Sequence, residues 1–170
     1  FVHGTDGVVL DSTYPIYRFE FINIHPATDN AEFTFNMSID AGSNYNVTKT
    51  TTYFNTYHAE DGSGAGLGYN TGQDLAQSTA FQTLAEDVGA DNDQNLGGEL
   101  TIYNPSSSVF VKHFMSRTSV THGGNYMQDV YAAGYGNTTS DVDAIQFKFS
   151  SGAIGSGKIK LYGIKDSWWA

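Results

Sequence analysis

The sequence predicts an all-β fold, an antiparallel two-sheet sandwich of jelly-roll-like type, and three observations carry that expectation. Apolar and polar residues alternate with period two in segment after segment. β-branched and aromatic residues crowd those segments, and clusters of Gly, Asn and Ser separate them. Strands with one apolar and one polar face belong to antiparallel sheets that meet solvent on one side. Several such strands between turn signals stack as two sheets, and the jelly roll is the common eight-strand solution.

In chain order, Ile16 to Ile24 sets Tyr17, Phe19 and Phe21 against Arg18 and Glu20. Glu32 to Asp40 sets Phe33, Phe35, Met37 and Ile39 against Thr34, Asn36 and Ser38. Tyr45 to Tyr57 is rich in Thr and aromatic residues, which suit a pleated surface. Glu60 to Gly72 reads as a Gly-rich loop. Around 73–88 the pattern changes: Leu75, Ala76, Thr79, Ala80, Leu84 and Val88 fall at roughly helical spacing, and Gly89 suits a helix stop. A short helical or irregular excursion is expected there, although Thr79, Phe81 and Thr83 also alternate as a strand would. Glu99 to Tyr103, Val109 to Val120, Tyr126 to Tyr135, Ala144 to Phe149 and Lys158 to Ile164 complete eight strands, the last two with apolar faces of Ile145, Phe147 and Phe149, then Ile159 and Leu161.

A chain of 170 residues suits one domain. We divide it into an N-terminal arm (1–13), a single sandwich (14–165) and a C-terminal tail (166–170), whose Trp168 and Trp169 are expected to pack on the sandwich or on a neighbour. Charged residues make up only 15%, and the net charge is −10. Such a surface repels phosphate backbones, so no nucleic-acid partner is expected. No apolar run approaches the roughly 18 residues of a spanning helix, and no membrane insertion is expected. Without cysteine, disulfides, thiol catalysis and iron–sulfur clusters are excluded; a secreted eukaryotic domain of this kind more often carries a bridge, which points to a microbial or viral product.

Motifs for chemistry are sparse. The run Gly62 to Gly68 lacks the third glycine of a dinucleotide fingerprint and the Lys of a phosphate loop. His58-Ala59-Glu60 matches half of a zinc-deaminase signature whose cysteines are absent. Asp91, Asp93 and Asn95 offer oxygens at alternate positions of a turn, as calcium prefers, but Leu96 and Ile102 stand where a calcium-binding helix–loop–helix needs Gly and Glu. No cofactor is expected, and calcium at that loop is kept open. Glycoside hydrolysis needs two carboxyls about 5–10 Å apart; Glu20 with Glu32, or Glu20 with Asp40, could face each other across adjacent strands. Aromatic residues reach 14%, and Tyr53, Tyr57, Tyr69, Tyr126, Tyr131 and Tyr135 lie near expected strand ends and loops. Tyrosine suits subunit contacts and sugar faces, pairing an apolar ring with a hydroxyl. Tyr57, His58 and Tyr69 are the candidate ligand-binding residues.

The stretch Ala144 to Ile164, with Ile145-Gln146-Phe147-Lys148-Phe149 and Lys158-Ile159-Lys160-Leu161-Tyr162 around a Gly-Ser-Gly connection, resembles the closing hairpin of a domain in marine bacteriophage virion proteins. Phe21 to Thr28, the Asp40 to Asn46 turn, Leu100 to Ser107 and Lys112-His113-Phe114 are similar as well, in order, across most of 14–165. The resemblance implies a structural or tail-fibre-like β-sandwich on the surface of a virion, part of a homo-oligomer and in contact with other virion proteins; for an appendage a homotrimer is the expectation. It supplies no catalytic residues. The expected function is a non-enzymatic appendage or receptor-binding module that adheres to host surface glycan. The alternatives are a capsid decoration or assembly protein without a receptor and, third, a polysaccharide depolymerase.

Overall fold

The computed structural model describes residues 1–165; the expected packing of Trp168 and Trp169 lies outside them. Ten strands and no helix occur among the described residues: β1 (Ile16–Pro26), β2 (Ala31–Ser38), β3 (Lys49–Ala59), β4 (Ala65–Tyr69), β5 (Gln82–Val88), β6 (Leu96–Tyr103), β7 (Lys112–His122), β8 (Tyr126–Gly136), β9 (Ala144–Phe149) and β10 (Ile154–Ile164). All pairings are antiparallel. One sheet runs β10-β1-β6-β7-β8-β3-β4, and a second runs β5-β2-β9. The two join through a single pair, Val88 opposite His122.

The layers meet through aromatic rings, as the alternation of β1, β2 and β9 requires. Phe21 meets Phe33 edge-on at 5.1 Å, Phe19 meets Phe147 at 5.1 Å, and Phe35 meets Phe114 at 4.8 Å. Each pair joins a strand of the large sheet to one of the small sheet, so these phenylalanines form the core between them. Edge-to-face pairs of this kind add about 0.5–1.5 kcal/mol beyond area burial. The arm closes one side: the amide of Ile145 donates to Phe1 O at 2.9 Å, the Phe1 amine donates to Ile145 O at 2.8 Å, and Leu10 is buried.

Several expectations need correction. The excursion at 73–88 is irregular rather than helical up to Phe81, and Gln82–Val88 is a strand. The apolar spacing misled because Gln82 to Ala85 are buried on both faces, which removes the alternation that marks a strand. The Gly-rich stretch contains an edge strand, β4. The connection at Ser150 to Gly157 is no hairpin: β9 pairs with β2 and β10 with β1, so the chain crosses from one sheet to the other. Gly152 makes that crossing possible, with φ of 69° and a Cβ position only 2.3 Å from Thr28 Oγ1. Ile39 is exposed, and Tyr53 is a fully buried core residue rather than a strand-end one.

The polar face of β2 is also buried. Lys49 is 0% exposed, and its Nζ donates to Asn36 Oδ1 at 2.5 Å and to Val47 O at 2.7 Å. Asn36 Nδ2 in turn donates to Tyr45 O and Thr79 O. Burial drives the Lys49 ammonium down to a pKa of about 7. Lys112, opposite the same residue, Gly136, from the other flank of β8, likewise donates to backbone carbonyls, those of Ser107 and Phe110.

Candidate functional site

The outer face of the large sheet carries a transverse row that register alone assembles. Lys160 stands opposite Glu20, Glu20 opposite Glu99, Glu99 opposite Arg117, Arg117 opposite Tyr131, Tyr131 opposite Phe54, and Phe54 opposite Tyr69. Seven strands thus contribute one side chain each to one line, since directly paired residues share a face. Over the middle of this line lies a groove of roughly 610 Å³, lined among others by Glu20, Glu99, Arg117, Asp129 and Met127. Gly97 and Gly98 line it too, and a Cβ on Gly98 would lie 2.3 Å from Arg117 O on the neighbouring strand.

Its geometry is held by a fork. Arg117 donates from Nε to Asp129 Oδ1 at 3.0 Å and from a terminal nitrogen to Oδ2 at 2.8 Å. The Tyr131 hydroxyl donates to the same Oδ2 at 3.3 Å. These bonds hold the Asp129 carboxyl below the usual carboxylate range, the guanidinium contributing most. The guanidinium sits 5.1 Å from the centre of the Tyr131 ring, and Phe54 stacks on the far side of that ring at 4.8 Å with planes 3° apart. The groove is thus bordered by an arginine and two facing glutamates, and the two stacked rings continue the row beyond Arg117. Arg18 reaches Glu99 at 3.5 Å.

The predicted ligand residues are divided. His58 and Tyr69 lie on this outer face, opposite Ala65 and Phe54 respectively, four residues apart along β3. Tyr57, adjacent to His58 in a strand, points to the other face. There it meets Tyr126 edge-on at 5.9 Å. Sequence reading missed Phe54, Arg117, Asp129 and Glu99 as a set, because each comes from a different strand. The only local signal was the alternation of exposed positions.

The predicted carboxylate pairs do not form as adjacent-strand pairs: β1 and β2 lie in different sheets, and Glu20 faces Glu99 instead. Glu32 accepts from Gln73 Nε2 and Thr83 Oγ1. At the calcium candidate, Asp91 and Asp93 are exposed, and Asn95 Nδ2 donates back to Asp93 O at 3.2 Å. Gln94 closes the turn, its amide donating to Asp91 O and its Oε1 accepting from the Asp91 amide. No three His, Asp or Glu side chains converge among the described residues. Comparisons with protein-family models, curated proteins and solved structures return no match to the chain.

Proposed function

We propose that this chain is a non-enzymatic glycan-binding module, displayed on a bacteriophage particle as an appendage or receptor-binding domain. The observation that carries the glycan reading is the cross-strand row in which the Phe54–Tyr131 stack continues, through Arg117, into the groove lined by Arg117, Glu99 and Glu20. Aromatic rings offer sugars an apolar face, and the charged side chains beside them offer hydrogen bonds to hydroxyls. The groove is open and crosses strands, a form that suits a polymer better than an enclosed small molecule. The particle setting rests on the resemblance of residues 14–165 to virion domains.

Titration of the purified domain with bacterial surface polysaccharides tests the reading. Binding should be retained by wild type and weakened at least about tenfold in Phe54→Ala and Tyr131→Ala, the loss of one stacking contact. A domain that binds no polysaccharide and no bacterial cell overturns it. Gold-labelled antibody on intact particles tests the setting: label at a tail or fibre tip agrees with adhesion.

One observation favours the second reading, a decoration or assembly protein. Met115, on the same sheet face nearer the start of β7, is 58% exposed, and Phe110 in the loop before β7 is 69% exposed. A second concavity of roughly 490 Å³ lies there between Tyr103, His113, Met115 and Tyr135. Exposed apolar surface of this kind marks contact sites. Label spread over the capsid, with no glycan binding, would select that reading.

A further inference from the structure

Where the large sheet ends near β4 and the turn at 123–125, three aromatic rings stand at right angles. Tyr57 and Tyr126 are 5.9 Å apart with planes at 90°, and Tyr126 and His122 are 5.4 Å apart at 83°. With Gln128 they line a pocket of roughly 260 Å³, separate in its lining residues from the outer groove. Tyr57 is 41% exposed, so its ring remains open to solvent beside Tyr126.

The rings are placed by bare backbone. A Cβ on Gly66 would lie 2.9 Å from Tyr57 Cε1, and one on Gly124 would lie 2.7 Å from Tyr126 Cε2. Glycine at both positions lets the chain lie flat against each ring, so the ring positions are set before any ligand arrives. This gives the Gly-rich stretch around residues 62–68 a physical role.

Two oxygen acceptors lie near the rings, the Gln128 carbonyl and the Asp87 carboxylate. Gln128 is only 7% exposed, and its Oε1 is buried without a hydrogen-bond partner among the described residues. A carbonyl in that state normally costs about 1–3 kcal/mol until something donates to it or lies against it with positive charge. His122 Nδ1 accepts from the Gly124 amide at 2.8 Å, so the ring proton resides on Nε2, which faces Asp87 Oδ2 at 3.3 Å. The third ring thus has a carboxylate behind its Nε2 edge. Glu86 precedes Asp87 on the same strand, and the whole chain carries −10.

We infer that the Tyr57–Tyr126–His122 box with Gln128 is a binding site for an organic ammonium ion of trimethylammonium size. Three rings set edge to face line one pocket, and a cation over an exposed ring face gains about 0.5–2 kcal/mol. The carboxylate behind His122 and the unpaired Gln128 carbonyl favour positive charge and disfavour an anion. An uncharged ligand of the same shape gains only the apolar contact. The site does not depend on the outer groove, and its failure leaves the glycan reading untouched.

The test uses the domain in solution, with tyrosine ring resonances followed by NMR during titration with choline. A parallel titration uses 3,3-dimethylbutan-1-ol, in which carbon replaces the quaternary nitrogen. Choline should shift the Tyr57 and Tyr126 rings saturably and bind at least about tenfold more tightly than the alcohol, consistent with cation–π attraction. Tyr126→Leu should weaken choline binding about tenfold or more. Gly66→Ala, which moves the Tyr57 ring without touching the ligand, should weaken it as well. Phosphocholine coupled to a carrier protein then distinguishes a pendant head group from a free cation: retention of the carrier shows that the box reads polymer-borne groups, and binding of free choline alone shows a small-molecule site. No saturable shift with choline, equal binding of the alcohol, or undiminished binding in both variants overturns the inference.

Discussion

Replacing Lys49 by Met should change the stability of this domain with a sign that depends on pH. In the native protein the Lys49 ammonium has no carboxylate within ion-pair distance among the described residues, and its pKa falls from 10.5 to about 7 through burial. The folded-state value lies below the unfolded one, so between pH 7 and 10.5 the unfolded chain binds the extra proton. Wild-type stability therefore rises with pH across that window, and the full cost of burying the charge applies below it. At 1.36 kcal/mol per tenfold, that cost is at most about 5 kcal/mol at pH 6 and about 1.4 kcal/mol at pH 9.5. Met fills a similar volume and removes the charge, but it leaves Val47 O without its donor, a loss of about 1–3 kcal/mol. Asn36 Oδ1 keeps the Met37 amide. The variant should be about 2–4 kcal/mol more stable than wild type at pH 6, and by pH 9.5 that advantage should shrink by about 3 kcal/mol and approach or cross zero. Urea unfolding at pH 6, 7, 8 and 9.5, with both midpoints and slopes compared, measures this directly. A difference between the two proteins that stays constant over this range would refute the reasoning, because the lysine would then titrate alike in both states.

Asp129→Asn should flatten the acid limb of stability: the wild-type carboxyl is depressed by Arg117, so its contribution is present above the unfolded value near 3.8 and lost as pH falls through the folded one. Because Arg117 is largely exposed, the difference in thermal or urea midpoints between pH 5 and 2 should amount to no more than about 1 kcal/mol. Gly134→Ala should cost about 1–3 kcal/mol in urea unfolding, since its Cβ would lie 2.4 Å from Thr50 O and 2.9 Å from Thr51 Cα, both backbone atoms of the neighbouring strand. Gly136→Ala should cost less, because the nearest obstacle is the flexible end of Met37.

How much of this was legible depended on whether the information was local. The faces of β1, β2 and β9 could be read because Phe19, Phe33 and Phe149 each alternate with polar neighbours, and period two is a property of consecutive residues. The strand of Gln82–Val88 could not, because burial on both faces leaves no alternation. β4 was hidden because Gly66, which reads as loop, is there to clear the Tyr57 ring. The Ser150 to Gly157 segment has hairpin composition, yet its neighbours Thr28 and Ala27 are more than 120 residues away in sequence. The outer groove fails for the same reason: Arg117 and Asp129 are close in sequence, but Glu20, Glu99 and Phe54 join them only through register. Tyr57 was singled out for its aromatic character, and its partner Tyr126 became visible only with the β3–β8 pairing.

The crossing from β9 to β10 also sets an order in time. β1 is among the first strands synthesised, yet one of its two neighbours is β10, with Ile16 paired to Ile164. β2 likewise waits for β9, with Phe33 paired to Phe149. On the ribosome, both early strands therefore have an unpaired side until residues 144–164 emerge. Closing such distant pairs early gains little against the entropy of the intervening chain, which slows folding. The bare sides of β1 and β2 are templates for pairing with other nascent copies in that interval. Truncation before residue 144 makes the interval permanent for both strands, and such a chain should form aggregates rather than a smaller domain.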